Sequence, residues 1–383
     1  MNMHYPHREP LVVRNHELRV IRRLLGEPEV RVRAGERLAA DHVIARTDPA
    51  SVAIKIPIAD QLGIGPAEVS KSLMRPVGSS FAAGEALARV RKGLRNLVVS
   101  APVAGVLISL DEATGTGFLA PHSGGEISAL VPGDVEFVDG RQAVSIRTVG
   151  SRLLGIVGIG TPVRGPIRVL ATRPDEELLA TRLSGDVQGA IVVGGAWAGA
   201  AAIKRLCEIG AKALIVGGIV ERELGGVFSA AIEDRLAPWR MLPGRHAMAD
   251  DLVPNLALMA TEGFGHLAMH PHAFALLQEC DGKEAVLFPA TRVVGQMLRP
   301  ELVIPDVAAL DNDGESTLAV FAEGAWVRCV DHAHLGKTGV VVGSPRRAHR
   351  PSGLSVDVID IEFESGARQT VPLANLEIVA LAT

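Results

Sequence analysis

The stretch that decides the fold runs from Gly189 to Val220: G189-A-I-V-V-G194-G195-A-W197-A-G199-A-A-A-I-K-R-L-C207-E-I-G210-A-K-A-L-I-V-G217-G218-I-V220. Ala190 to Val193 is apolar at every position and ends in Gly194-Gly195. A run without alternation suits a strand buried on both faces of a parallel sheet. Trp197 to Ile209 predicts a helix: Lys204, Arg205 and Glu208 share one face, and Ala200, Ile203 and Cys207 share another. Gly210 stands where a helix C-terminal glycine belongs. Ala213 to Val216 repeats the first strand and is again followed by a glycine pair, Gly217-Gly218. The unit reads as strand, helix, parallel strand, so both glycine pairs should reach the same edge of the sheet. Asn255 to Ala260 predicts a third apolar strand, which would bring Thr261, Glu262 and Gly263 to that edge.

Composition bounds the rest. A chain of 383 residues implies two to four domains, and 48% apolar residues are enough for real cores. A net charge of −4 argues against a chain coated overall for nucleic acid. The three cysteines, Cys207, Cys280 and Cys329, lie far apart and form no CxxC. Neither a disulfide framework nor a zinc ribbon is expected. The first ten residues carry no apolar core of a signal peptide, and the longest uncharged apolar run, Gly189 to Ile203, is too short for a membrane span. These features predict a soluble, cytoplasmic protein with no membrane association.

Outside the decisive stretch the pattern is β-rich. The phrase A-G-E-x-L-A occurs twice, around Gly35 and around Gly84. Each copy reads as strand, glycine turn, strand, and the pair predicts a duplicated module or two halves of one pseudo-symmetric barrel. Residues 98–110 follow as V-V-S-A-P-V-A-G-V-L-I-S-L. Gly84, Glu85, Leu87, Ala88, Ala101, Pro102, Gly105 and Val106 together resemble the biotinyl/lipoyl-like barrel-sandwich hybrid, over roughly residues 30–150. The family's modified lysine within A-M-K-M is missing: Lys92 lies in R-V-R-K-G-L-R-N. The resemblance thus implies a β module and not a swinging arm. Asp139-Gly140 signals a hairpin.

Glycines and β-branched residues from Leu153 to Gly165 mark a change of domain, and Pro174 to Arg182 predicts a short helix. Glu221 to Ala230 and His272 to Glu279 predict further helices, and Glu284 to Phe288 a strand. This alternation predicts an α/β domain with a parallel sheet at 151–308, after a β-rich region at 1–150. From 309 to 383 the chain returns to alternating strands. Gly324, Val327, Gly336, Lys337, Gly339 and Val340, with the closing V-P-L-A-N-L-E-I of Val371 to Ile378, resemble the KOW motif of SH3-like barrels. That resemblance implies a contact surface for RNA or protein. Arg346, Arg347 and Arg350, in a basic loop at 345–351, are its candidates.

No complete catalytic signature can be assembled. Gly194-x-x-x-x-Gly199 is half of a phosphate-binding loop, but Ala200 and Ala201 stand where Lys and Ser/Thr belong. His266, His270 and His272 have ligand-like spacing, but Pro271 interrupts the helix and no motif-placed carboxylate completes a metal set. No cofactor is expected. The first reading is a non-catalytic binding or scaffold protein with a protein partner or a second copy of itself. The alternatives are a small-ligand or nucleotide-binding enzyme or sensor at Gly194, Gly195, Gly217, Gly218, Thr261, Glu262 and Gly263, and nucleic-acid association through the tail.

Overall fold

The computed structural model describes residues 10–24, 28–47, 53–82, 84–92, 95–121, 126–140, 143–225, 256–289, 299–306, 308, 321–329, 334, 336–349 and 355–381. Among the described residues strands account for 52% and helices for about 15%, so the fold is β-rich and built on a large mixed sheet.

The sheet is assembled from widely separated parts of the chain. In chain order its elements begin with β1 (Val12–Arg23), β2 (Gly133–Asp139), β3 (Ala143–Leu154), β4 (Val157–Ile159), β5 (Val163–Val169) and β6 (Ile191–Val193). Helix α1 (Ala200–Ile209), β7 (Ala213–Ile219), β8 (Ala257–Phe264) and helix α2 (Pro271–Glu279) follow. The set closes with β9 (Glu284–Phe288), β10 (Glu301–Pro305), β11 (Trp326–Cys329), β12 (Thr338–His349), β13 (Ser355–Phe363), β14 (Arg368–Pro372) and β15 (Leu376–Ala380). Their lateral order is β4-β8-β7-β6-β5-β9-β10-β3-β1-β15-β11-β12-β13-β14, with β2 pairing beside β3.

Strands β5, β6, β7 and β8 are mutually parallel, with Ile167, Ile191 and Ala213 in one register row and Ala213 opposite Ala257. Their all-apolar sequence follows from coverage on both faces. On one face Ala202, Ile203 and Leu206 of α1 pack on Val192, Leu214 and Leu258. On the other, Ala273, Phe274 and Leu277 of α2 pack on Ile191, Ile215 and Met259. Helix α1 ends at Gly210, whose φ of 84° is the left-handed cap that a side chain would resist.

Two local expectations are corrected. Trp197 does not open the helix: Trp197 and Ala198 form a short strand paired with Glu177 and Leu178, and α1 starts at Ala200 after the cap residue Gly199. Pro174 to Arg182 is not one helix. The Glu176 carboxylate accepts from both the N–H and the hydroxyl of Thr172, at 2.8 and 2.9 Å, and turns the chain before the strand pair and a single 3-10 turn at Ala180–Arg182. Glu284 to Phe288 is the expected strand, and it runs antiparallel to β5. The predicted helix from Glu221 is described only over Glu221–Gly225; its remainder lies outside the described residues.

The two A-G-E phrases form the same turn. Gly35 and Gly84 have φ of 82° and 79°. Gly35 donates to the Val135 carbonyl and Gly84 to the Ala101 carbonyl, both at 2.8 Å. Val135 and Ala101 return the bond to Glu36 and Glu85, again at 2.8 Å. Each glutamate carboxylate accepts an N–H three residues back, from Arg33 and from Ala82. The copies are nested, not in tandem. Arg46 pairs with Glu126 and Leu38 with Gly133, so the first copy closes on residues 126–135. The second copy lies between, within residues 53–121, on a core of its own formed by Ile56, Leu62, Phe81, Leu87, Val99, Leu107 and Leu119.

Among the described residues no helix is long and apolar enough to cross a membrane.

Candidate functional site at the parallel strand ends

Parallel strands end on the same side of a sheet, and here that geometry gathers the glycine pairs. Gly194 N–H donates to the Ile215 carbonyl at 2.9 Å, Gly217 N–H to Gly195 at 2.8 Å, and Gly218 N–H to Ala196 at 2.7 Å. Gly218 stands opposite Gly263 and Ile219 opposite Phe264. Gly194, Gly195, Gly217, Gly218, Thr261, Glu262 and Gly263 therefore share one edge.

What lies over Gly195, Gly217 and Gly218 is backbone. A side chain at Gly217 would collide with the Leu267 carbonyl oxygen and the Met269 nitrogen, and one at Gly218 with the Gly265 carbonyl. At Gly195 it would meet the Glu176 carbonyl, and at Gly194 the Leu178 side chain. The segment after β8 thus folds back across the strand ends, and glycine is needed for that close approach. The N-terminus of α1, which the half phosphate loop singles out, carries a carboxylate of the chain itself: Ala200 N–H donates to Glu223 at 3.0 Å. The free amides and partial positive charge of a helix start favour an anion there, and Glu223 supplies one.

The two polar residues of the edge have different fates. Thr261 is fully buried, with its hydroxyl 3.5 Å from the Val216 carbonyl. The Glu262 side chain, 8% exposed, accepts the His270 N–H at 3.1 Å and a hydrogen bond from the Arg328 guanidinium. Arg328 lies on β11, in the C-terminal part of the chain. It also holds Glu377 of β15 at 2.6 and 3.1 Å. Glu377 is shared with Arg299, at 2.9 Å, and Arg299 donates in turn to the Gly155 carbonyl at 2.8 Å. Glu262, Arg328, Glu377 and Arg299 form one continuous chain of largely buried, opposite charges. It ties the parallel-strand edge to the C-terminal strands.

The electrostatics follow from that arrangement. Burial alone would lower the Arg328 pKa, but Glu262 and Glu377 outweigh it and raise it. Burial alone would raise Glu377, but Arg328 and Arg299 hold it below the usual carboxylate range. His270 caps α2 through Nδ1, which accepts the His272 N–H at 3.2 Å. Burial, then Arg328, then His272 push its pKa down to about 4. A neutral imidazole is what such a cap requires, since a protonated Nδ1 cannot accept. His272 packs on Trp326 with ring centres 5.0 Å apart, and His266 meets Trp197 edge-on at 4.3 Å. Among the described residues no three His, Cys, Asp or Glu side chains group so as to hold a metal ion.

The tail residues sit differently from their expectation. Residues 345–349 are not a loop: they continue β12, with Arg346 opposite Val358 and Arg347 opposite Asp357. Arg346 clasps Asp360 with two hydrogen bonds of 2.6 and 2.8 Å. Arg350 lies outside the described residues. A cleft of about 370 Å³ lies away from both sites, where Asp41 and Leu130 face Arg164, Glu284 and Val286. Its Arg164 and Glu284 pair at 3.3 Å.

Sequence reasoning missed Arg328, Glu377, Arg299 and the capping role of His270. Arg328 stands between the buried Val327 and Cys329 on a strand, which gives it no local mark. No protein-family model matches the chain, and no curated protein matches it.

Proposed function

We propose that this chain is a non-catalytic binding or scaffold protein. In this reading a barrel-sandwich-hybrid region at 1–150 and a KOW-type SH3-like barrel at 309–383 flank the α/β domain at 151–308. Its partner is a protein or a second copy of itself. The commitment of Glu262 carries the reading. A carboxylate that serves as general acid or base must reach a substrate. Glu262 instead spends its oxygens on Arg328 and the His270 amide, and Gly195, Gly217 and Gly218 of the same edge lie under backbone. The helix start that could hold a phosphate is capped by Glu223. Arg346 of the tail is likewise engaged by Asp360, which leaves the tail less charge to offer a nucleic acid.

Thermal-shift titration of the purified chain against a panel of nucleotides and divalent metals tests this. A ligand that binds only the folded state at 100 times its Kd stabilises it by about 2.7 kcal/mol, an easily read shift. The proposal expects no saturable shift with any panel member. A saturable shift that Glu262→Gln abolishes would replace it with the enzyme or sensor reading.

A further inference from the structure

Strands β2, β3 and β1 lie side by side, and their two faces differ. One face is core, with Val20, Val135 and Ile146 buried on it. The other meets solvent, and its side chains stand in rows across the three strands. In the middle row Ile21 and Phe137 stand on either side of Ser145. They are 50% and 43% exposed, while Ser145 lies buried between them and donates to Glu136 at 3.0 Å. In the next row Arg23 and Asp139 flank Ala143, both exposed, and no ion pair engages either of them among the described residues. In the row on the other side Arg19 and Asp134 flank Arg147. Arg19 also pairs with Glu136, and Arg147 is held between Glu17 and Asp134. The face is therefore ordered by side. The β1 side carries Arg19, Ile21 and Arg23; the β2 side carries Asp134, Glu136, Phe137 and Asp139.

We propose that this face docks a second copy of the chain about a two-fold axis. Two sheets pack face to face about 10 Å apart with their strands nearly aligned. A two-fold axis lying in the interface along β3 exchanges left for right and keeps each row. It sets Ile21 on the partner's Phe137, Arg23 on the partner's Asp139, and Arg19 on the partner's Asp134 and Glu136. Every contact then occurs twice, as an isologous dimer requires. The apolar pairs form the centre and the charges the rim, the usual anatomy of an interface. Arg147 lies on the axis and would meet its own copy, but Glu17 and Asp134 already neutralise it. A nucleic acid or a strongly charged protein fits less well, because arginines and carboxylates share the face and neither sign dominates. Three strands make a small contact, so the expected affinity is roughly micromolar. This inference rests on the reading of a chain that works by binding a partner, and it names that partner.

Sedimentation velocity of the full chain between about 1 and 200 μM tests it, with a reversible monomer–dimer equilibrium as the expected result. Phe137→Asp should leave only monomer. Arg23→Asp sets two carboxylates against each other at both ends of the interface, and Asp139→Arg sets two guanidinium groups there. Each variant alone should dimerise roughly tenfold more weakly or worse, since like charges in contact are costly. An equimolar mixture of the two should associate as tightly as the wild type, because each reversed charge then faces its opposite in the other copy. Recovery on mixing separates a direct contact from damage to the fold. A wild type that stays monomeric at 200 μM overturns the inference and leaves the face to an unrelated protein. Dimers that survive Phe137→Asp overturn it too, as do two charge variants that fail to associate when mixed. A dimer at this face together with a saturable nucleotide shift abolished by Glu262→Gln would keep this inference and overturn the non-catalytic reading, so the two fail separately.

Discussion

Replacing Arg328 with methionine probes the charge chain at its centre. The guanidinium holds Glu262 and Glu377, whose side chains are 8% and 14% exposed. After substitution Glu377 keeps Arg299, at 2.9 Å, but Glu262 keeps only the His270 amide. The cost is therefore that of one buried carboxylate stripped of its cation, about 3–5 kcal/mol. Removing Glu262 at the same time should recover much of that loss, because a whole buried pair replaced by neutral groups is often near neutral. Urea midpoints followed by tryptophan fluorescence for the wild type, Arg328→Met, Glu262→Gln and the double variant give the coupling energy directly. Trp326 lies two residues from Arg328, so the probe reports on the right strand. A coupling of at least about 2 kcal/mol is expected. Strictly additive single losses would refute the argument, as would an Arg328→Met variant as stable as the wild type.

Acid should loosen the same junction. The folded pKa of His270 lies below its unfolded value of about 6.5, at about 4. Its contribution is thus complete above pH 6.5 and is lost as pH falls toward 4. The full shift corresponds to roughly 3 kcal/mol, and partial exposure of the ring reduces this to about 1–2 kcal/mol. Arg328, His272, Glu262, Glu364 and Glu377 set the field around it. His272 shifts in the same direction, and Glu377, with its pKa depressed, adds a loss below the carboxylate range. His270→Asn keeps a capping side chain and should flatten the decline in urea midpoint between pH 6.5 and 5; an undiminished decline would assign it elsewhere. Gly217→Ala should destabilise by about 3 kcal/mol or more through overpacking, since the new methyl meets backbone of the crossing segment. A loss below 1 kcal/mol would show that the crossing gives way freely.

The parts of the fold that are legible in the sequence are the local ones. The β-α-β unit shows because each strand is apolar throughout and Gly210 closes the helix within the same stretch. The A-G-E turns show because a glycine at positive φ and a glutamate that binds back three residues are both encoded in one short phrase. Their nesting does not show, since Leu38 meets Gly133 across a whole intervening unit. Pro174 to Arg182 fails for a related reason: its helix signal yields to Glu177 and Leu178, which pair with Trp197 and Ala198. The convergence of Gly194, Gly217 and Thr261 follows from parallel topology, but the partners of Glu262 do not. Arg328 comes from a strand 66 residues further on, and ion pairs between distant segments leave no periodicity to read.

Amide hydrogen exchange at His270 tests most directly whether the strand-end edge is closed. Its N–H is held by Glu262, which Arg328 anchors from the C-terminal strands. Strong protection at His270 and across Trp326–Cys329 in the wild type, with both lost together in Arg328→Met, is the predicted result. Rapid exchange at His270 in the wild type, while α2 beyond it stays protected, would contradict the account: it would leave Glu262 facing an open crevice.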